Sequence, residues 1–131
     1  MSTCDYLYIH MSSAALKLDV RPASKLFKAL GDEMRLRMVA LLSHGELCVC
    51  HLESALGLSQ PNVSRQLSVL RAAGVVEPRR EGSWMYYRLA PQADAFCKAQ
   101  LKGIAASFGK LEQLGADVER LVQAKGPNAC R

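Results

Sequence analysis

The sequence predicts a mostly α-helical α+β chain: a helix–turn–helix, a two-stranded hairpin behind it, and a long C-terminal helix. Three observations carry this expectation. Apolar residues recur at steps of three and four along residues 21–73. The pattern then turns β-rich through Val75, Val76 and residues 84–87, around a glycine-containing turn. From Pro91 the helical step returns and persists to Leu121. At 131 residues, half of them hydrophobic, there is material for a single core.

Residues 1–20 read as an N-terminal arm or early helix, with Ala14, Ala15, Leu16 and Leu18 as weak helical content. From Arg21 the signals sharpen. Pro22 suits a first helical turn, and Leu26, Phe27 and Leu30 form an apolar stripe that ends at Gly31. Asp32 is placed as N-cap of a second helix carrying Met34, Leu36, Met38, Val39, Leu41 and Leu42, closed near Gly45. A third, short helix is expected over about residues 48–56, ending at Gly57. Ser59 is the next N-cap and Pro61 lies in the first turn. Val63, Leu67 and Leu70 give this fourth helix its buried face, and Gly74 stops it.

Arg79, Arg80, Glu81, Gly82 and Ser83 read as the tip joining two short strands. The last helix carries Cys97, Leu101, Ile104, Phe108, Leu111, Leu114, Val118 and Leu121 in one stripe. That is more apolar face than one small domain covers, so a homodimer is expected, with Leu101, Ile104, Phe108, Leu111 and Leu114 at its interface. The core is thus assigned to residues 21–90, the dimerisation helix to 91–124 and a loose tail to 125–131.

Composition excludes some function classes. No run approaches eighteen apolar residues, which rules out a membrane-spanning helix, and the N-terminus lacks the basic start of a secretory signal. A cytoplasmic location is the expectation. The chain shows no nucleophile–base pairing, phosphate-cradling glycine loop or paired carboxylates, so it is not read as an enzyme, and no organic cofactor is expected. A net charge of +5 permits binding to an anionic partner without proving it.

The helix–turn–helix makes that partner specific. Its second helix opens with Ser59, Gln60, Pro61, Asn62, Val63, Ser64, Arg65 and Gln66. Gln and Asn pair with adenine and Arg with guanine, whereas Ser and a helix N-terminus suit phosphate. The N-terminal residues of a recognition helix are those that enter the major groove of double-stranded DNA. Arg79, Arg80 and Gly82 of the hairpin add a basic turn for the adjacent groove or backbone. An isolated charged hairpin tip is an ordinary solvated turn. Directly after a helix–turn–helix, DNA contact is the better reading.

The run from Leu26 to Leu89 resembles the ArsR/SmtB family of bacterial metal-responsive repressors. Four landmarks occur in order: LGDEMRLRMVALL, ELCVCHL, LSQPNVSRQLSVLRAAGVV and REGSWMYYRL. The resemblance implies a winged helix-turn-helix fold, dimerisation through terminal helices, and binding of operator DNA that ends when an inducer binds.

Five cysteines without an export signal argue against a disulfide framework. Cys48 and Cys50 stand one residue apart, and the close pair points to metal or redox chemistry. Thiolates are soft ligands, and a helix N-terminus favours the thiolate form. Glu46-Leu47-Cys48-Val49-Cys50 resembles the ELCVC box of the family's arsenic- and antimony-responsive branch, and of its cadmium/lead relatives. The resemblance implies As(III) or Sb(III) as inducer, with Cd(II) or Pb(II) as the alternative. A thiol-redox switch would use the same residues.

On a regular helix, residues two apart point about 200° apart, so shared ligation is expected to distort the first turn. The fullest form of the box has a third cysteine three positions on, where this chain has Glu53. The cadmium/lead relatives bring N-terminal cysteines across, which makes Cys4 the first candidate third ligand, Cys97 the second and Cys130 the last. Each of those three alone is more often a small buried hydrophobe. His51 suits a zinc-like ion better than arsenic. Gln92, Asp94, Lys98 and Gln100 do not make the family's terminal-helix zinc site.

Overall fold

Asp32 and Gly57 show how local sequence sets the element boundaries in the computed structural model, which describes residues 19–108 together with 116, 117, 119, 120 and 123. The expectations for Cys4, Cys130, Leu111, Leu114, Val118, Leu121 and the tail lie outside the described residues. The elements run α1 (Arg21–Leu30), α2 (Glu33–Leu42), β1 (Leu47–Cys48), α3 (Val49–Leu56), α4 (Gln60–Ala72), β2 (Val76–Glu81), β3 (Trp84–Leu89) and α5 (Ala95–Phe108).

Asp32 is extended, and its carboxylate accepts the Arg35 N–H at 3.1 Å, satisfying a free donor of the first turn of α2. Gly57 ends α3 at φ 66, a left-handed conformation that costs glycine little and other residues more. Its N–H donates to the Glu53 carbonyl at 2.9 Å. The chain then turns within Leu58 and Ser59 into α4, completing the helix–turn–helix.

The three-stranded antiparallel sheet has the order β1-β3-β2. In the hairpin, Glu81 pairs with Trp84, leaving Gly82 and Ser83 as a two-residue turn. Gly82 has φ 59 and the non-glycine residues described have none positive, the pattern of a type II′ turn.

Three boundaries differ from expectation. The third helix begins at Val49, because Leu47 and Cys48 pair with Tyr87 and Tyr86 as a short strand. Arg79, Arg80 and Glu81 belong to strand β2 and not to the tip, since the tight turn pulls them into the ladder. The last helix starts at Ala95, not Pro91. Asp94 caps it by accepting the Cys97 N–H at 2.9 Å, and Gln92 is occupied with the Gly74 and Ala90 carbonyls.

Met38, Leu52, Val63, Leu67 and Leu70 form the fully buried centre of the core. Around it α2 packs on α1, α4, α5 and β3. Val63, Leu67 and Leu70 thus hold the back of α4 inward, as their spacing predicts. Phe27 breaks its expected stripe: Leu26 and Ala29 are buried, while Phe27 is 52% exposed.

Candidate nucleic-acid interface and cysteine pair

At the start of α4, Ser59 is extended in the N-cap position and its side chain makes no cap bond. Ser59, Gln60 and Arg65 are exposed, and Asn62, Ser64 and Gln66 are half-buried. Arg65 donates to the Asn62 side-chain oxygen at 3.1 Å, so those two side chains are presented as a unit.

Gln66 is differently placed. Its oxygen accepts from Arg35 of α2 at 2.9 Å, and the same guanidinium donates to the Ala29 carbonyl at 2.6 Å. Gln66 therefore fixes the recognition helix to α1 and α2. Arg35 was not among the residues singled out from sequence, and a partner 31 residues away leaves no periodic trace.

In the wing, Arg80 and Gly82 are exposed. Arg79 is held. Its guanidinium forks onto the Glu46 carboxylate at 2.5 to 3.1 Å, reaches Glu81 at 3.0 Å, and lies 4.8 Å over the Tyr86 ring. The hydrogen bonds from Arg79 hold the Glu46 carboxyl below the usual carboxylate range, and Glu46 and then Glu81 push the Arg79 guanidinium up. At the other end of the hairpin Arg88 pairs with Glu77 at 2.6 Å.

The sulfurs of Cys48 and Cys50 lie 3.3 Å apart. Cys48 is the N-cap of α3 at φ −73, ψ 151, so its side chain is not constrained by helical spacing. The expected 200° separation does not apply, because only Cys50 is in the helix. Cys48 closes a capping box with His51, donating its N–H to His51 Nδ1 at 3.3 Å. Cys48 is a buried free thiol.

Cys97 is not brought to this pair. It is a buried free thiol at the start of α5, packed with Leu26 and Leu101 in the core. Burial, and then Asp94, pushes its thiol up, which keeps it neutral. Among the described residues no group of three His, Cys, Asp or Glu side chains gathers as a metal site. The cysteine pair brings two sulfurs together and no third candidate ligand joins them among the described residues.

On α5, Leu101 is buried in the chain's own core, and Ile104 packs against that core. Leu101 is therefore spent within the chain. Further along, Asp117 is fully buried and accepts from Arg37 of α2 at 2.6 Å, a pair that also pushes the Arg37 guanidinium up. Arg120 reaches the Ala55 carbonyl of α3 at 3.4 Å. The terminal segment is thus tied to both helices that flank the cysteine box.

A recognition helix backed by the core, with a basic hairpin beside it, defines a winged helix-turn-helix DNA-binding regulator. Residues 32–77 match the model of the bacterial regulatory protein arsR family. The chain is 44% identical over 110 residues to the arsenic resistance transcriptional regulator ArsR1 of Pseudomonas putida, covering 80% of this chain and 84% of that one. It is 52% identical over 73 residues to the arsenical resistance operon repressor of Escherichia coli, covering 55% of this chain and 62% of that one.

Among solved structures, a homodimeric winged helix-turn-helix DNA-binding domain of a possible ArsR-family regulator from Mycobacterium bovis aligns with TM-score 0.57 and 31% identity. The alignment covers 76% of this chain and 87% of that domain. The chain belongs to the ArsR family. It is a transcriptional repressor of the ArsR/SmtB type and not an enzyme. No helix among the described residues is long and apolar enough to cross a membrane.

Proposed function

We propose that this repressor binds double-stranded operator DNA as a homodimer and releases it when As(III) or Sb(III) is ligated by the thiolates of Cys48 and Cys50. The observation that carries the reading is the 3.3 Å approach of the two sulfurs at the entrance to the helix–turn–helix. Two preset soft donors favour a thiophilic ion over a hard one. Relatives at 44% and 52% identity, named for arsenic and arsenical resistance, support arsenic as the inducer class. Cys4 is the proposed third thiolate.

For DNA, Gln60, Asn62, Ser64 and Arg65 are the proposed base-edge and phosphate contacts, with Ser59 at the helix N-terminus and Arg80 and Gly82 in the wing. The homodimer is supported by an apolar patch where α1 meets α5. Val20, Phe27 and Phe96 are exposed there, and the two rings meet edge to face at 5.8 Å. The residues read as contacts further along the stripe, Ile104, Phe108, Leu111 and Leu114, extend the same proposal.

The same 3.3 Å approach supports a second reading, in which oxidation of Cys48 and Cys50 is itself the signal. A gel-shift titration with the promoter upstream of the protein's own gene separates the two. Reduced protein is expected to bind and to be released by arsenite, while Cys48→Ser and Cys50→Ser bind and are not released. Release by peroxide without metalloid selects the redox reading, and loss of binding by the metal-free variants contradicts both.

A further inference from the structure

Cys48, Tyr86 and Arg79 stand in one row across the sheet: Cys48 is opposite Tyr86 in the β1–β3 pairing, and Tyr86 is opposite Arg79 in the β3–β2 pairing. Residues directly opposite in antiparallel strands share a face, and the Arg79 guanidinium does cover the Tyr86 ring. The row is closed by Glu46, two residues before Cys48, whose carboxylate takes the Arg79 fork. Glu46 therefore joins the strand that carries Cys48 to the wing strand that carries Arg80, through bonds separate from the ladder itself.

From this geometry we infer that Glu46 is a positioning residue that couples the cysteine pair to the wing by holding Arg79. The inference rests on the metalloid reading above. Cys48 is already extended, so drawing its sulfur toward a third ligand need not unwind α3. The strain falls on β1, which is two residues long and held by Tyr86 and Tyr87 alone in the sheet. Displacing β1 moves Glu46 and pulls the Arg79 fork and the Tyr86 ring with it. The wing then shifts against the recognition helix, whose own anchors, Arg35 to Gln66 and Val63, Leu67 and Leu70 in the core, lie on other elements.

An exposed ion pair by itself contributes little, but a fork shared with a second carboxylate and an aromatic face has fixed geometry, and geometry is what transmits a displacement. Glu46 is not a thiol ligand, so its removal separates coupling from binding. Trp84, the single tryptophan, sits at the start of β3 beside the turn and reports the wing directly.

The test uses the full reduced chain, sodium arsenite and a labelled operator duplex. Arsenite binding is followed by thiol titration, wing position by Trp84 fluorescence, and coupling by the ratio of operator Kd with and without arsenite. Glu46→Gln is expected to bind arsenite like the wild type, to lose the Trp84 response, and to lower the ratio about fivefold, the small end of allosteric coupling. Charge reversal, Glu46→Arg with Arg79→Glu, restores the pair and is expected to restore the ratio. A wild-type ratio in Glu46→Gln, or a ratio that reversal fails to restore, overturns the coupling alone. Failure of arsenite to bind the wild type overturns the metalloid reading and takes the coupling with it.

Discussion

At Cys48 the backbone is extended, and this places its sulfur beside that of Cys50 and not on the opposite side of the helix. The two-residue spacing was legible in the sequence. The backbone state was not, because pairing with Tyr86, 38 positions away in sequence, decides it. Cys97 shows the opposite behaviour of the same side chain. Burial first, and Asp94 second, holds its thiol above the usual range. The folded chain keeps that thiol neutral where the unfolded chain ionises it, from about pH 8.5. Its contribution to stability is therefore full below that pH and is lost as pH rises through the folded value. Urea midpoints measured across the alkaline range are expected to fall, and Cys97→Ala is expected to remove that part of the slope.

The recognition helix and wing were readable as elements for different reasons. Val63, Leu67 and Leu70 carry a helical period, and all three are fully buried. Leu67→Ala is expected to destabilise the fold by about 2–5 kcal/mol in urea unfolding. The wing was readable from Gly82 and the β-rich flanks, but Arg79 was misplaced at the tip because tight turns and longer loops share the same residues. Charge pairing across the sheet has no local pattern, so Glu46 and Arg79 could not be joined from sequence. The difference has a consequence for DNA binding. Arg80 is exposed and Arg79 is engaged by two carboxylates, so Arg80→Ala is expected to weaken operator binding and lower the salt slope by about 0.9 for one lost phosphate contact. Arg65→Ala, if it removes a base contact, costs about 1–3 kcal/mol and relaxes preference at one base pair. An unchanged salt slope in Arg80→Ala would remove the wing from the phosphate contacts.

Over the whole molecule, the terminal helix packs its stripe inward at Leu101 and exposes Phe96, which lies outside that stripe. Leu101 is committed to the chain's own core, while Phe96 and Phe27 form the outward patch available to a second copy. A stripe records that a face is apolar and not which partner covers it. Phe27→Glu is accordingly expected to raise the dimer dissociation constant in sedimentation equilibrium while leaving the circular dichroism spectrum unchanged. Asp117, fully buried against Arg37, fixes the terminal segment to the helix before the cysteine box. Asp117→Asn is expected to cost about 2–3 kcal/mol, below the full penalty for a broken buried pair because Arg37 keeps an edge in water. Metalloid release of DNA is tested most directly by titrating the reduced repressor–operator complex with arsenite while following operator anisotropy and free thiols together. Release in step with protection of Cys48 and Cys50, and no release in Cys48→Ser, is the predicted result. Thiol protection with the operator still bound would contradict it.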